Sequence, residues 1–129
     1  MTAYYPSGGL PRSKAILRLL LFNTTQHPPN EIGKAGEHAV ESWLAKAHRV
    51  HRDTQGPGAT DIVAVGNGRV LLVQVKTAQA PRSPDSVSPE EAARIRARAD
   101  RLRAESWEAR VQLNWLLEPT DPIRWRSLN

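Results

Sequence analysis

The chain of 129 residues contains no cysteine. That absence excludes disulfide bonds, zinc–thiolate centres and thiol catalysis, so any bound metal must be held by oxygen or imidazole groups. Uninterrupted apolar runs such as Leu19 to Phe22 stop at four residues, whereas a membrane-spanning helix needs about 20. A Gly-x-Ser-x-Gly nucleophile elbow and a His-Glu-x-x-His zinc motif are also missing. We therefore expect a soluble, cytoplasmic protein that does not associate with membranes.

Positive charge predominates in the chain. Eighteen Lys and Arg residues stand against 13 Asp and Glu residues, which gives a formal net charge of +5 at pH 7. Such a balance favours a polyanionic partner such as nucleic acid. Most of the cations are arginines, whose guanidinium group suits bidentate phosphate contacts, although a GC-rich genome produces the same bias.

The first 30 residues are predicted to form an arm, because prolines and glycines surround one short helical candidate from Ser13 to Phe22. Residues 31–129 are too few for two independent cores, so we expect a single domain there. Apolar positions at three- and four-residue spacing predict an amphipathic helix from Ile32 to Ala47. Three strands are expected next, with a hairpin turn at Gly66-Asn67-Gly68 between the last two: Arg49–Arg52, Asp61–Val65 and Val70–Lys76.

The segment Ser88-Pro89-Glu90-Glu91 has the form of a capping box and predicts a helix that runs to about Glu108. The inner stripe of this helix is expected to be Ala92, Ile95, Ala99 and Leu102. A separate stripe of Arg94, Arg98 and Arg101 is expected to be solvated and balanced by Asp100, Glu105 and Glu108. A last strand is predicted at Val111–Leu117, after which Pro119 and Pro122 end the regular core. This order predicts an α/β fold with an αβββαβ core and a mixed central sheet flanked by helices.

Polar residues occur where an apolar strand would be expected to continue. Strand alternation puts Gln74 and Lys76 together on one face of the third predicted strand, and each would be costly to bury without partners. Asp61 opens the neighbouring hairpin strand and is expected beside the same strand end. Glu37 lies two helical turns before Leu44, at the edge of the apolar stripe. Taken singly, each of these residues also fits an ordinary structural role.

Taken together, these polar residues predict a metal site. Oxygen ligands from Glu37, Asp61 and Gln74, with the backbone carbonyl of Val75, suit a hard cation such as Mg²⁺, for which we expect Mn²⁺ to substitute. Lys76 would orient the attacking water or stabilise the developing negative charge. The predicted chemistry is phosphodiester hydrolysis, with Glu37, Asp61, Gln74 and Lys76 as the catalytic group.

These residues resemble the PD-(D/E)xK nuclease superfamily, and within it the archaeal-type Holliday junction resolvases. The likeness spans Ile32 to about Trp115 and leaves the arm and the tail without counterparts. Gln74 stands where the family has an acidic residue, so we expect weaker metal binding in an active enzyme. The matching segments are Lys34-Ala35-Gly36-Glu37, Arg52, Gly56 to Thr60, Asp61 and Gln74-Val75-Lys76.

The resemblance implies a restriction-endonuclease-like fold and an endodeoxyribonuclease that acts in DNA recombination and repair. It also implies a homodimer that grips a four-way junction and makes paired cuts leaving 5′-phosphate ends. Lys34 and Arg52 are placed near DNA by the motif. Further phosphate contacts are expected from the arm and from the loop after the catalytic strand, namely Arg12, Lys14, Arg18 and Arg82. The four tryptophans are expected in the core or at the dimer interface.

Other functions stay open from the sequence. The same fold is used by sequence-selective nucleases, including intron and restriction types, but 129 residues leave little room for segments that reach base edges. Because Gln74 replaces an acidic residue, a non-catalytic DNA-binding homologue is another alternative. A protein-interaction subunit of a larger complex would show no DNA affinity.

Overall fold

The computed structural model describes residues 26–54 and 60–129, and at positions 53, 54, 60 and 61 it describes the backbone only. The helical candidate Ser13–Phe22, the arm residues Arg12, Lys14 and Arg18, and most of the loop from Gly56 lie outside these ranges. The described chain forms two helices and five strands: α1 Pro29–Leu44, β1 Arg49–Thr54, β2 Thr60–Gly66, β3 Arg69–Gln79, α2 Pro89–Leu102, β4 Glu105–Leu113 and β5 Arg124–Ser127. Among the described residues, no helix is long and apolar enough to cross a membrane.

The five strands form one mixed sheet in the order β1-β2-β3-β4-β5. All neighbouring pairs are antiparallel except β3 and β4, which run parallel because α2 connects them as a crossover. β3 lies at the centre, and its middle residues Leu71, Leu72 and Val73 are buried. The predicted α/β class and the mixed sheet flanked by helices are therefore confirmed.

Each face of the sheet carries its own hydrophobic cluster. On one face, Val40 and Leu44 of α1 pack with alternate strand residues, among them Ile62, Leu71 and Val73. On the other face, the inner residues of α2 pack with Val63, Leu72, Val87 and Leu128. We call these the α1 face and the α2 face. Because side chains alternate along a strand, Val75 belongs to the α1 face, and Gln74 and Lys76 belong to the α2 face.

The first helix begins earlier than its apolar periodicity indicates. Pro29 occupies the first helical turn, where a missing backbone N–H costs nothing, so α1 reaches into the range predicted as an arm. His27 is held against the domain, because its backbone N–H donates to Gln79 Oε1 at 3.0 Å and its ring Nε2 lies 2.7 Å from the carbonyl oxygen of Trp115. α1 also approaches β3 closely at Gly36, where a Cβ would overlap the Thr77 side chain.

The predicted end of the second helix is wrong. The capping box at Ser88 and Glu91 is present, but α2 ends at Leu102, where Arg103 adopts a left-handed conformation with φ of 54°. Glu105 and Glu108 consequently lie on β4 and pair with Arg69 and Arg126 instead of balancing an arginine stripe on the helix. Leu102, expected on the inner stripe, is 45 % exposed.

Further boundaries differ from the sequence prediction, and the strand expected at Val70–Lys76 is β3 at Arg69–Gln79. The strand expected at Val111–Leu117 is β4 at Glu105–Leu113, and the regular core continues past Pro119 and Pro122 into β5. Leu128 is buried directly after β5. In the β2–β3 hairpin, Asn67 and Gly68 have positive φ values, whereas Gly66 is the last residue of β2.

Candidate active site

A row of polar positions crosses the sheet on the α2 face. The strand register pairs position 61 of β2 with Gln74 of β3, Gln74 with Glu108 of β4, and Glu108 with Arg126 of β5. Directly opposed residues of neighbouring strands share a face. Gln74 is half-buried, and Glu108 is fully buried. The expectation that Asp61 and Gln74 stand side by side is therefore met by their backbone positions.

Lys76 lies one alternation beyond Gln74 and contacts α2. Its Nζ donates to Glu91 Oε2 at 2.8 Å, and both side chains are largely covered, with 25 % and 31 % exposed. The hydrogen bond from Lys76 holds the pKa of the Glu91 carboxyl below its usual range, against the effect of burial. Lys76 and Glu91 are thus a charged pair at the edge of the polar row.

Glu108 fastens a loop to the sheet. It accepts hydrogen bonds from the backbone N–H of Val87 and from Arg126 Nε and Nη2 at 3.0 and 3.1 Å. Burial alone would raise the pKa of Glu108, but these donors outweigh it, and the pKa is lowered. Since both carboxylate oxygens are engaged, Glu108 ties the segment before α2 to β4 and β5.

Glu37 lies on the α1 face, in a network with Arg52. Arg52 makes a bidentate pair with Glu41, at 2.8 Å and 2.7 Å, and its Nη1 lies 3.3 Å from Glu37 Oε1. Burial raises the pKa of the Glu37 carboxyl and the nearby Glu41 adds to the rise, while Arg52 and Lys34 oppose it. Glu37 is thus a partly desolvated carboxylate, the kind of group that often marks a functional site.

The remaining predicted site residues lie around these groups. Val75 follows Gln74 on β3, and within the described residues the pairing of β3 with β2 ends at Gln74. Lys34 is exposed on α1. Arg82 is exposed in the loop after β3, where its carbonyl oxygen accepts from Gln112 Nε2 at 2.7 Å. Residue spacing did not indicate that Glu108 pairs with Arg126, and it indicated Glu91 only as part of a helix cap.

The α2 face carries oxygen donors of the kind that a hard divalent cation prefers. Among the side chains that the structure describes, no three His, Asp or Glu residues form a metal-binding group. An amide oxygen at Gln74, a carboxylate at Glu91 and Asp61 at the facing register position nonetheless come from three neighbouring elements. Mg²⁺ is commonly held by one or two carboxylates, with waters and substrate phosphate completing the shell.

The alternation of apolar and polar residues from Ser106 to Leu113 was the sequence signal that would have revealed β4 and Glu108.

The architecture is that of a restriction-endonuclease-like α/β fold. Among solved structures, the chain is similar to Hjc of Archaeoglobus fulgidus, a Holliday junction resolvase from an archaeal hyperthermophile. The TM-score is 0.55 at 22 % sequence identity, over 74 % of this chain and 72 % of Hjc. Neither a protein-family model nor a curated protein sequence matches the chain. The likeness confirms the predicted fold, and the assignment of function depends on the chemistry of the site.

Proposed function

We propose that this protein is a Mg²⁺-dependent DNA endonuclease that resolves four-way junctions, and that Mn²⁺ can replace Mg²⁺. The observation that carries the proposal is the position of Gln74 and Lys76 on the central strand, opposite position 61, in a fold that is similar to that of a Holliday junction resolvase. A row of amide and charged groups across the middle of a sheet is costly unless ions or hydrogen-bond partners compensate. Glu108 and Arg126 compensate each other within this row, and a metal-dependent site provides a reason for the polar groups at Gln74 and position 61.

The residues divide the chemistry among them. A bound divalent cation would polarise the scissile phosphate and lower the pKa of a bound water. Asp61, Gln74 and the Val75 carbonyl are the proposed ligands, and Glu37 would join them only by leaving its contact with Arg52 on the α1 face. Lys76, with its ammonium held at the site edge by Glu91, orients the attacking water and stabilises charge on the phosphate. The reaction is hydrolysis of a phosphodiester bond that leaves a 5′-phosphate.

DNA contacts are proposed on both sides of this site. Arg52 and Lys34 would approach the scissile region, and Arg82 would contact the backbone beyond it, together with Arg12, Lys14 and Arg18. Arg52 is already neutralised by Glu41 and Glu37, so it binds DNA only if that network rearranges. This makes Arg82, which is exposed, the stronger candidate for a direct phosphate contact.

Paired cuts on a junction call for two active sites, so we propose a homodimer. Trp43 is 49 % exposed and packs on Trp125 with ring centroids 5.2 Å apart. The large exposed indole of Trp43 supports a dimer contact at this surface, because aromatic side chains are enriched at protein interfaces. We expect a dimer by sedimentation equilibrium and a weaker dimer for Trp43→Ala. A monomer at the concentrations that cut junctions would contradict the dimer.

The proposal is tested by cleavage of end-labelled DNA of three shapes: a four-way junction, a duplex of the same sequence and a flap. We expect paired junction cuts with Mg²⁺ or Mn²⁺, none with a chelator, and little cutting of the duplex. Lys76→Ala should remove the activity, whereas Arg101→Ala, which changes an exposed cation on α2, should retain it.

Other results would replace the proposal with an alternative. Equal cutting of junction and duplex would indicate a nuclease without structure selectivity. Tight junction binding that is indifferent to metal, with no cutting, would indicate a DNA-binding homologue. An absence of DNA affinity would point to a protein-interaction subunit.

A further inference from the structure

We propose that Glu91 ligates the metal of this site and supplies the carboxylate that the neutral Gln74 does not provide. The inference rests on the proposed function, since it names a further ligand for the same site. It begins from the contact between Lys76 Nζ and Glu91 Oε2, at 2.8 Å. Gln74 and Lys76 are two residues apart on one strand face, about 7 Å from each other. The Glu91 carboxylate therefore reaches from α2 to Lys76, which lies two residues along β3 from Gln74.

Glu91 is better placed for this role than the other described carboxylates near Gln74 and Lys76. Glu108 is the register neighbour of Gln74, but it is fully buried and accepts three hydrogen bonds, so a hydrated cation does not reach it. Glu37 contacts Arg52 on the α1 face. The Glu91 side chain is 31 % exposed, so a hydrated cation has access to it.

The start of α2 holds Glu91 in one position. Glu91 N–H donates to Ser88 Oγ at 3.2 Å, and Ser88 N–H donates to Glu91 Oε1 at 3.3 Å. Each carboxylate oxygen has two lone pairs, so Oε2 can accept from Lys76 and still bind a cation. Lys76 also keeps the pKa of Glu91 low, and Glu91 is consequently ionised at neutral pH.

The test is a titration of the protein with Mn²⁺ in the absence of DNA. The electron paramagnetic resonance signal of the unbound Mn²⁺ measures how much of the ion is bound. We expect Glu91→Gln to weaken Mn²⁺ binding on the order of tenfold or more, the loss typical of disrupted metal coordination. The melting temperature of Glu91→Gln should stay near that of the wild type, because a Gln side chain can also accept the capping-box hydrogen bond from Ser88 N–H. Glu90→Gln is the matched control: it removes the same charge from an exposed neighbour in the same helical turn and should leave Mn²⁺ binding unchanged.

Two additional variants separate ligation from an indirect effect through Lys76. Lys76→Gln breaks the ion pair but keeps the carboxylate, so its Mn²⁺ affinity should equal or exceed that of the wild type. Gln74→Glu in the Glu91→Gln background restores a carboxylate at the strand position and should recover the lost affinity.

The outcomes distinguish this inference from the proposed function. If the wild type binds Mn²⁺ and cuts junctions, and Glu91→Gln binds Mn²⁺ within twofold of it, the role of Glu91 is wrong and the nuclease proposal stands. Equal loss of Mn²⁺ affinity in Lys76→Gln and Glu91→Gln would also overturn ligation, since the ion pair would then be the cause. A wild type that neither binds Mn²⁺ nor cuts DNA would overturn both.

Discussion

The two faces of the sheet carry their charges differently. On the α1 face, the charged groups Glu37, Glu41 and Arg52 lie at the rim, and the centre is apolar. On the α2 face, Gln74 and Glu108 lie on the neighbouring interior strands β3 and β4, and Glu108 is fully buried. The α1-face carboxylates share one arginine and keep part of their hydration, whereas polar groups in the middle of a sheet are costly unless they are partnered.

This difference separates structural charge from functional charge. Glu108 has a sufficient structural explanation, because Arg126 and Val87 satisfy both its oxygens. Gln74, Lys76 and Glu91 form a more accessible group at the end of the same row. The α2 face thus carries two groups. The Glu108–Arg126 pair, which we call the closed ion pair, stabilises the fold. Gln74, Lys76 and Glu91, which we call the open cluster, are proposed to perform chemistry.

The largest expected effect comes from the open cluster. Asp61→Ala should lower the junction cleavage rate on the order of 100-fold or more, while junction binding is largely retained, because we propose Asp61 as a metal ligand and not as a contact to the DNA backbone. Cleavage rates and gel-shift affinities measure the two effects. Asp100→Ala, an exposed acidic residue on α2, is the control, and full activity of Asp61→Ala would end the metal-site hypothesis.

The closed ion pair should affect stability instead. Glu108→Ala leaves the buried Val87 N–H without its acceptor, so we expect a loss of roughly 2–3 kcal/mol in the free energy of unfolding. Glu105→Ala removes another β4 glutamate that pairs with an arginine, Arg69, near the surface and should cost less. Urea denaturation of both variants measures the two losses in the free energy of unfolding. Equal losses would remove the distinction between charges in the middle of the sheet and charges at its rim.

The pH dependence of stability should have opposite signs on the two faces. The lowered pKa of Glu108 means that its ionised form stabilises the fold above its ordinary pKa of 4.5, and this contribution is lost as the pH falls through the folded pKa. The raised pKa of Glu37 means that ionisation of Glu37 costs stability as the pH rises above 4.5.

Two variants measure these contributions. Urea denaturation between pH 4 and pH 7 should show that Glu108→Gln loses most stability near pH 7. Glu37→Gln should gain stability near pH 7 and lose that gain near pH 4. Changes of the same sign in both variants would contradict the assignment.

The smallest effect is expected on the outside of α2. Arg94 and Arg101 are exposed, as expected for a solvated stripe, and Arg98 is half-buried. Replacing all three with Gln should change the junction dissociation constant by less than about tenfold, or about 1.4 kcal/mol. Filter binding at fixed salt measures it, and a larger loss would show that DNA lies across this helix.

Local sequence patterns were enough to predict which strand residues of the site lie together. Alternation along β3 and the tight turn after Gly66 fix which residues share a face and which positions face each other, so Asp61, Gln74 and Lys76 could be grouped from the sequence. The capping box at Ser88 was also readable, because all its members lie within four residues.

Long-range packing explains what could not be predicted. The end of α2 depends on the left-handed turn at Arg103, which an arginine rarely adopts. Glu91 meets Lys76 only because the start of α2 folds back over β3, and Arg126 meets Glu108 only because β5 joins the sheet. None of these contacts follows from residue spacing.

The central claim is that the metal lies on the α2 face. The direct measurement replaces Mg²⁺ with Fe²⁺, adds ascorbate and peroxide, and maps by mass spectrometry where the radicals formed at the ion cut the protein backbone. We predict cuts near position 61, near residues 74–76 and near residues 88–91. Cuts confined to α1 around Glu37 and Glu41, or the same pattern without Fe²⁺, would contradict the account.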